Sequence, residues 1–315
     1  MSKNKFWGFL VIISFVLLSL PAAASTDEIT FPQLTQGQAG QNKITFGFRL
    51  TGGVFPLMRN DINDHLQGIN DIFEYYSNYN PYYTMNSEFE MIKMGMDFSG
   101  EILISFMPNL SISVGAGYLV AGKDTTMEVM DTIYSIENTH TYHPKFSVIP
   151  ITLSLYYGIP VGNSMKVVLN AGLGYYLGTV DFDYSYEGNT DLYLDESTDT
   201  WSAKSNALGL HGGIDLEFGI ARHLALVVGA KGRYVKLTDL SGTGDYDYIR
   251  SDGYRYSYTG EDATLWYGNY QEGSEYYPQV IYSQNKPSSS SWFDVRKAEV
   301  NLSGIVFQAG IKIFF

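Results

Sequence analysis

Apolar and polar residues alternate with a period of two along eight stretches of this chain, the pattern of strands with two chemically different faces. The first, 43–51, sets Ile44, Phe46, Phe48 and Leu50 against Thr45, Gly47 and Arg49. The second, 94–106, sets Met96, Phe98, Ile102, Ile104 and Phe106 against Asp97, Ser99, Glu101 and Ser105, and the third sets Ile112, Val114, Ala116, Tyr118 and Val120 against serines and glycines. In the fourth, 148–158, Ile149, Ile151, Leu153, Leu155 and Tyr157 alternate with Pro150, Thr152, Ser154 and Tyr156. The fifth alternates Val167, Leu169, Ala171, Leu173, Tyr175 and Leu177 with Asn170, Tyr176 and glycines. The sixth opposes Leu208, Leu210, Ile214, Leu216, Phe218 and Ile220 to His211, Asp215 and Glu217, and the seventh opposes Leu226, Val228, Ala230 and Tyr234 to Val227, Gly229, Lys231 and Arg233. The eighth opposes Ile305, Phe307, Ala309, Ile311, Ile313 and Phe315 to Gln308, Gly310 and Lys312.

The connections alternate as well. Tight turns at Met107-Pro108-Asn109, 160–164 and Ala221-Arg222-His223 separate long links at 52–93, 123–145, 181–206 and 239–299. Short turns at one end and long loops at the other are the signature of outer-membrane barrels, so the expected fold is all-β, an eight-stranded antiparallel up-and-down transmembrane β-barrel with long extracellular loops. A soluble sandwich has no need for every long loop at one end, nor for a charge-free face on every strand. In the first long link, Ile62, Leu66, Ile69 and Phe73 recur at helical spacing and predict an amphipathic helix, either lying over the barrel mouth or simply keeping the loop compact. In the last link, YRYSYTGEDATLWYGNY alternates around Gly-Glu-Asp and predicts a hairpin that extends above the membrane.

The amino end adds a destination. Lys3 and Lys5 precede an apolar run from Phe6 to Leu20, and Pro21 with Ala22, Ala23 and Ala24 completes a small-residue cleavage motif, so residues 1–24 read as an export signal peptide. Residues 25–42 then form a periplasmic N-terminal segment and 43–315 the outer-membrane β-barrel domain. The chain has 0 Cys, so neither disulfides nor a lipidated cysteine hold it in the envelope. A formal net charge of −13 argues against nucleic acid as a partner.

The charged residues within the eight stretches test the parity independently, because the faces were assigned from apolar residues alone. Arg49, Asp97, Glu101, Asp215, Glu217, Lys231, Arg233 and Lys312 all fall on the inward side, with His211 beside them. A Lys or Arg facing lipid near the midplane would cost about 2–4 kcal/mol. Four bases and four acids allow nearly complete pairing inside a barrel whose interior side chains can just fill. The expected lumen is therefore plugged by a charge network. A narrow or gated route for small solutes through a rearranged network stays open as the alternative.

VIPITLSLYYGIPV is similar to an I-P-x-x-x-x-Y-Y strand, and VVLNAGLGYYLG to an A-G-x-G-Y strand, of the small outer-membrane β-barrel domains, the porin-like group that includes OmpW-type and OmpX-type barrels. The last strand, with Phe307, Ile311, Ile313 and Phe315 alternating back from the terminus, resembles the signal read by the outer-membrane assembly machinery. Together with the strand ladder the likeness covers 43–315; it implies the fold and a cell outer-membrane location, with outer-membrane lipid and lipopolysaccharide as surroundings, and is nearly silent on function.

Function is expected in the loops. The link 239–299 alone carries ten acidic and five basic residues and ten Tyr, a composition suited to contact surfaces. The leading expectation is a non-enzymatic protein whose barrel anchors acidic, Tyr-rich loops for surface contact, adhesion or envelope stability. An outer-membrane lipid-modifying enzyme is the third class, resting on His140 and His143 with Ser135 and Glu137 nearby. Asp181, Asp183, Asp245 and Asp247 offer oxygens without an EF-hand pattern, and no zinc, phosphate-loop or nucleophile-elbow motif occurs, so neither metal nor cofactor is expected.

Overall fold

The computed structural model describes residues 44–57, 60–133, 136–189 and 194–315, so the expected signal peptide and the segment 25–42 lie outside the described residues. β1 (Thr45–Pro56) leads through the helix α1 (Asp61–Tyr79) to the short β2 (Tyr83–Met85). The hairpin of β3 (Met94–Met107) and β4 (Leu110–Gly122) precedes a second one, β5 (Thr125–Asp131) with β6 (Ile136–Tyr142). Then come β7 (Lys145–Pro160), β8 (Met165–Asn189), β9 (Leu194–Ala221) and β10 (Leu224–Tyr234). The remaining elements are β11 (Lys236–Leu237), β12 (Ser241–Arg250), β13 (Arg255–Glu272), β14 (Glu275–Ser283), β15 (Trp292–Lys297), β16 (Val300–Asn301) and β17 (Gly304–Phe314). Among the described residues no helix is long and apolar enough to cross a membrane.

The described residues are all-β apart from α1. Fifteen strands make one antiparallel sheet, while β11 and β16 pair separately. Part of the large sheet closes on itself, because β1 pairs with β3, then β4, β7, β8, β9, β10 and β17 follow in turn, and β17 returns to β1. Following the register from Thr45 through Ser105, Ser111, Tyr156, Asn170, Gly213 and Lys231 leads to Val306, one residue from Phe307, the partner of Val54. One circuit thus climbs by about ten residues, the kind of stagger that tilted strands need in order to close. The turns fall where their residues demand, with Gly162 at φ 129° between β7 and β8.

Three expectations about the long links are corrected. Eight strands undercounts the sheet, since most of what reads as loop is also strand. β8 and β9 do not stop near Asp181 and Asn206 but stay paired up to Asn189 opposite Leu194, and 123–145 contains the β5–β6 hairpin. Gly-Glu-Asp is not a turn either. β13 passes through it as one strand with a bulge, Asp262 taking φ 55°, and the real turns lie at 251–254 and 273–274. The upper half of β8, with β12 and the start of β13, was missed because it alternates tyrosine with aspartate, serine and threonine rather than aliphatic with polar residues. β5 and β6 were missed because each runs for only seven residues.

α1 forms where the apolar spacing predicts it. Asn60 caps it by accepting from the backbone N–H groups of Ile62 (3.1 Å) and Asn63 (3.0 Å), and Asp61 and Asp64 place negative charge in the first turn. Ile62 and Leu66 are fully buried, and Ile69 and Phe73 pack against the same core. Two asparagines seven residues apart bind the returning chain through both their amide atoms, Asn63 to Ile92 and Asn70 to Phe89. The bidentate pair of Arg296 with Asp61, both at 2.7 Å, ties the helix start to β15. Gly68 lets α1 lie against β14, as a Cβ there would sit 2.0 Å from the Pro278 carbonyl oxygen. Gly68→Ala should therefore undock the helix by about 1–3 kcal/mol despite better helix propensity. Limited proteolysis that cuts the variant within 60–80 faster than the parent checks this.

Candidate functional site

The ring sorts its side chains strictly by parity. Ile102, Val114, Ile151, Leu173, Leu210, Ile214, Val228 and Phe307 are exposed on the outside, whereas Arg49, Asp97, Glu101, His211, Asp215, Glu217, Arg233 and Lys312 are buried inside. Lys231 is also inside, its side chain 16% exposed. Phe315 ends the chain exposed, its N–H bonded to the Phe46 carbonyl at 2.9 Å, with Phe307, Ile311 and Ile313 on the same outer face.

Inside, the charges form compact groups. Asp215, fully buried, accepts from Arg49 Nη2 (2.9 Å), Asn170 Nδ2 (3.0 Å) and Gln308 Nε2 (2.8 Å). Lys312 Nζ binds both Glu217 oxygens, at 2.9 and 3.0 Å. Arg233 donates to Asp97 (3.0 Å) and to the Leu302 carbonyl (2.9 Å), with Lys231 Nζ 3.7 Å from the same carboxylate. Tyr156 donates to Glu101 at 2.5 Å and lies under the Arg49 guanidinium, 5.3 Å from ring centroid to Cζ, which links two groups. Charge-based parity missed the neutral members, Tyr156, Asn170, Gln308 and Ser154, although each stands on the inward side of its strand. The space left beside Asp97, Glu101, His211, Lys231 and Arg233 is about 20 Å³, little more than a water needs.

Above the charges the interior turns apolar. Phe55, Val235, Leu237 and Leu302 belong to one core with Ile62 and Leu66 of α1. Leu237 fills the space over Gly178, where a Cβ would meet its Cδ1 at 2.2 Å. The inward face of the extended sheet continues upward as two aromatic rows set by the register. Tyr142, Tyr184, Asp199, Tyr246 and Tyr258 stand abreast on β6, β8, β9, β12 and β13, and His140, Tyr186, Ser197, Tyr248 and Tyr256 stand abreast one step higher. Below them Phe182 stacks on Trp201 at 3.8 Å, and Trp201 on Tyr282 at 5.9 Å. The opposite face carries Asp183, Glu187, Asp245 and Asp247, all exposed.

Two of the histidines, His65 and His140, serve this packing. His65, which sequence patterning did not single out, is buried beside Tyr142 (Nε2 to hydroxyl, 3.1 Å), and its Nδ1 accepts from the Val280 N–H (3.2 Å), so the proton sits on Nε2. His140 bonds the Tyr184 hydroxyl at 2.8 Å and lies 5.0 Å from the Phe73 ring. His143 pairs with Asp124 (3.0 Å) on the outer surface, and His211 with Ser154 (2.8 Å) inside the ring. Each has a different environment, and no described serine and carboxylate converge on His140 or His143; Ser135 lies outside the described residues. Asp181 accepts from Ser202 at 2.7 Å, and among the described residues no three His, Asp or Glu side chains gather as for a metal ion. The chain matches no protein-family profile, and no curated protein is significantly similar to it.

Two predictions follow from these environments. Arg49→Ala should cost roughly 3–5 kcal/mol by stranding the Asp215 carboxylate, whereas Arg49→Met with Asp215→Leu should recover most of it; urea unfolding of the refolded variants measures both. Burial lowers His65 and His140 to about 4 in the folded protein, below their ordinary value near 6.5. Their contribution is therefore complete above about pH 6.5 and is lost as pH falls towards 4, by a few kcal/mol in all. The near-ultraviolet circular dichroism of the stacked aromatics should fade reversibly over that window, and less so in His65→Gln.

Proposed function

We propose that the closed part of the sheet is an eight-stranded transmembrane β-barrel of a Gram-negative-type outer membrane, and that the protein is a non-enzymatic anchor for a Tyr-rich extracellular extension used in surface contact, adhesion or envelope stability. One observation carries this reading. The ring is inside out relative to a soluble protein, with aliphatic side chains exposed on every strand and ion pairs buried within. In water such a surface would aggregate, since soluble monomers rarely expose apolar patches of that continuity. In a bilayer it is the stable arrangement, because closure leaves no unpaired edge facing lipid. Aromatics flank the band as interfacial girdles do, with Tyr118 and Tyr234 towards the long-link end and Phe46, Tyr157 and Phe315 towards the turn end.

Paired charges, with only about 20 Å³ left beside Asp97, Glu101, His211, Lys231 and Arg233, support a plugged lumen. The apolar core of Phe55, Leu237 and Leu302 above them supports a second seal, one that no charge rearrangement alone would open. On this reading the export signal and the last strand deliver the chain through the assembly machinery to the outer membrane, where lipopolysaccharide surrounds the upper rim.

Refolded protein should migrate faster unboiled than boiled on a denaturing gel and show no steady ohmic openings in a planar bilayer. Identical mobilities would sink the barrel, and steady conductance by the unaltered protein would replace the anchor with the solute-transport alternative.

A further inference from the structure

Asp199 stands at the centre of the lower tyrosine row, opposite Tyr184 on β8 and Tyr246 on β12, with Trp201 one step below it on the same face of β9. It is half-buried, and among the described residues no hydrogen bond or cationic side chain reaches its carboxylate. A desolvated carboxylate without a partner is unfavourable, and burial holds this one above the usual carboxylate range. The row is open at one end. Tyr142, under α1, is 8% exposed, whereas Tyr258, two strands beyond Asp199, is 56% exposed.

A carboxylate between tyrosine rings matches a nitrogen cation, which gains ion pairing from the one and attraction to the ring faces from the others. The protein already contains that combination in closed form. Arg296 clamps Asp61 at 2.7 Å while its Cζ lies 4.4 Å from the Tyr267 ring centroid. At Asp199 the carboxylate and the rings are present, and among the described residues no cation is supplied. A divalent ion fits poorly, because it wants several oxygen ligands and only one carboxylate is here. The opposite face of the same strands, with Asp183, Glu187, Asp245 and Asp247, adds an acidic field that draws in a positively charged chain.

We propose that Asp199, Tyr184, Tyr246 and Tyr258 form the docking site for a lysine or arginine side chain of a basic polypeptide partner. This deepens, and rests on, the reading of the extension as a surface-contact module.

The test is titration of the full-length protein in detergent micelles, at physiological ionic strength, with three probes: a lysine- and arginine-rich peptide, its glutamate-substituted counterpart, and choline. The basic peptide should bind and the acidic one should not. Asp199→Asn should weaken binding roughly tenfold or more, and Tyr246→Leu several-fold, while Asp247→Asn, which removes the same charge from the opposite face, should change it little. Equal losses from Asp199→Asn and Asp247→Asn would overturn the site in favour of diffuse attraction. Choline binding with the same dependence on Asp199 and no advantage for the peptide would overturn the polypeptide partner in favour of a small cation. Absence of binding by a protein that still shows heat-modifiable mobility would sink the site and leave the barrel standing; loss of that mobility difference in the parent would sink the barrel reading itself. Retained mobility difference in each variant separates loss of binding from failure to fold.

Discussion

The ladder between β1 and β17, from Gly47 opposite Phe314 to Val54 opposite Phe307, is the constraint on which the rest of the structure depends. It joins the first strand of the ring to the last and so leaves no free edge within it. Closure also fixes which side each residue faces, because a slip by one position would turn every side chain over. Arg49 lies opposite Lys312 on one neighbour and opposite Glu101 on the other. Two cations side by side in a closed interior need anions close at hand, and Asp215 and Glu217 meet them from β9. The charge groups are thus a consequence of closure, since carboxylates as buried as Asp215 and Glu217 must be paired rather than hydrated by bulk water.

Closure at the bottom permits the different construction above. The eight ring strands do not end together, and β8 and β9 continue as a long ribbon that recruits β12, β13 and β14 on one side and β6, β5 and β2 on the other. This curved sheet has an inner surface to fill, and α1 fills it with Ile62 and Leu66 while its polar residues bind backbone. The helix covers only part of that surface. Where it stops, the tyrosine rows emerge from packing into exposure, which is why one set of residues serves both as core and as an accessible platform.

Legibility from sequence followed the strength of the physical signal. The ring strands, their turns and the inward charges were readable because the ring's exposed outer face carries aliphatic residues at every second position and keeps its charges on the other side. α1 was readable from four apolar residues at helical spacing. Most of the extension was not, because β12 and the neighbouring stretches of β8 and β13 alternate tyrosine with aspartate, serine and threonine, and tyrosine belongs equally to solvated loops and to half-buried sheets. Gly260-Glu261-Asp262 has the composition of a turn, and only the pairing of β12 with the first half of β13 and β14 with the second makes it a bulge.

By itself, then, the sequence determined an all-β chain of two-faced strands with their charges gathered on one face, since these follow from local alternation that any register must respect. The tertiary structure decided what stands beside what. Asp199 is one aspartate among many along the chain, and nothing within a few residues of it marks it out. It becomes distinct because strands from three distant segments align Tyr184, Tyr246 and Tyr258 in its row, a relation set by register across the sheet rather than by spacing along the chain.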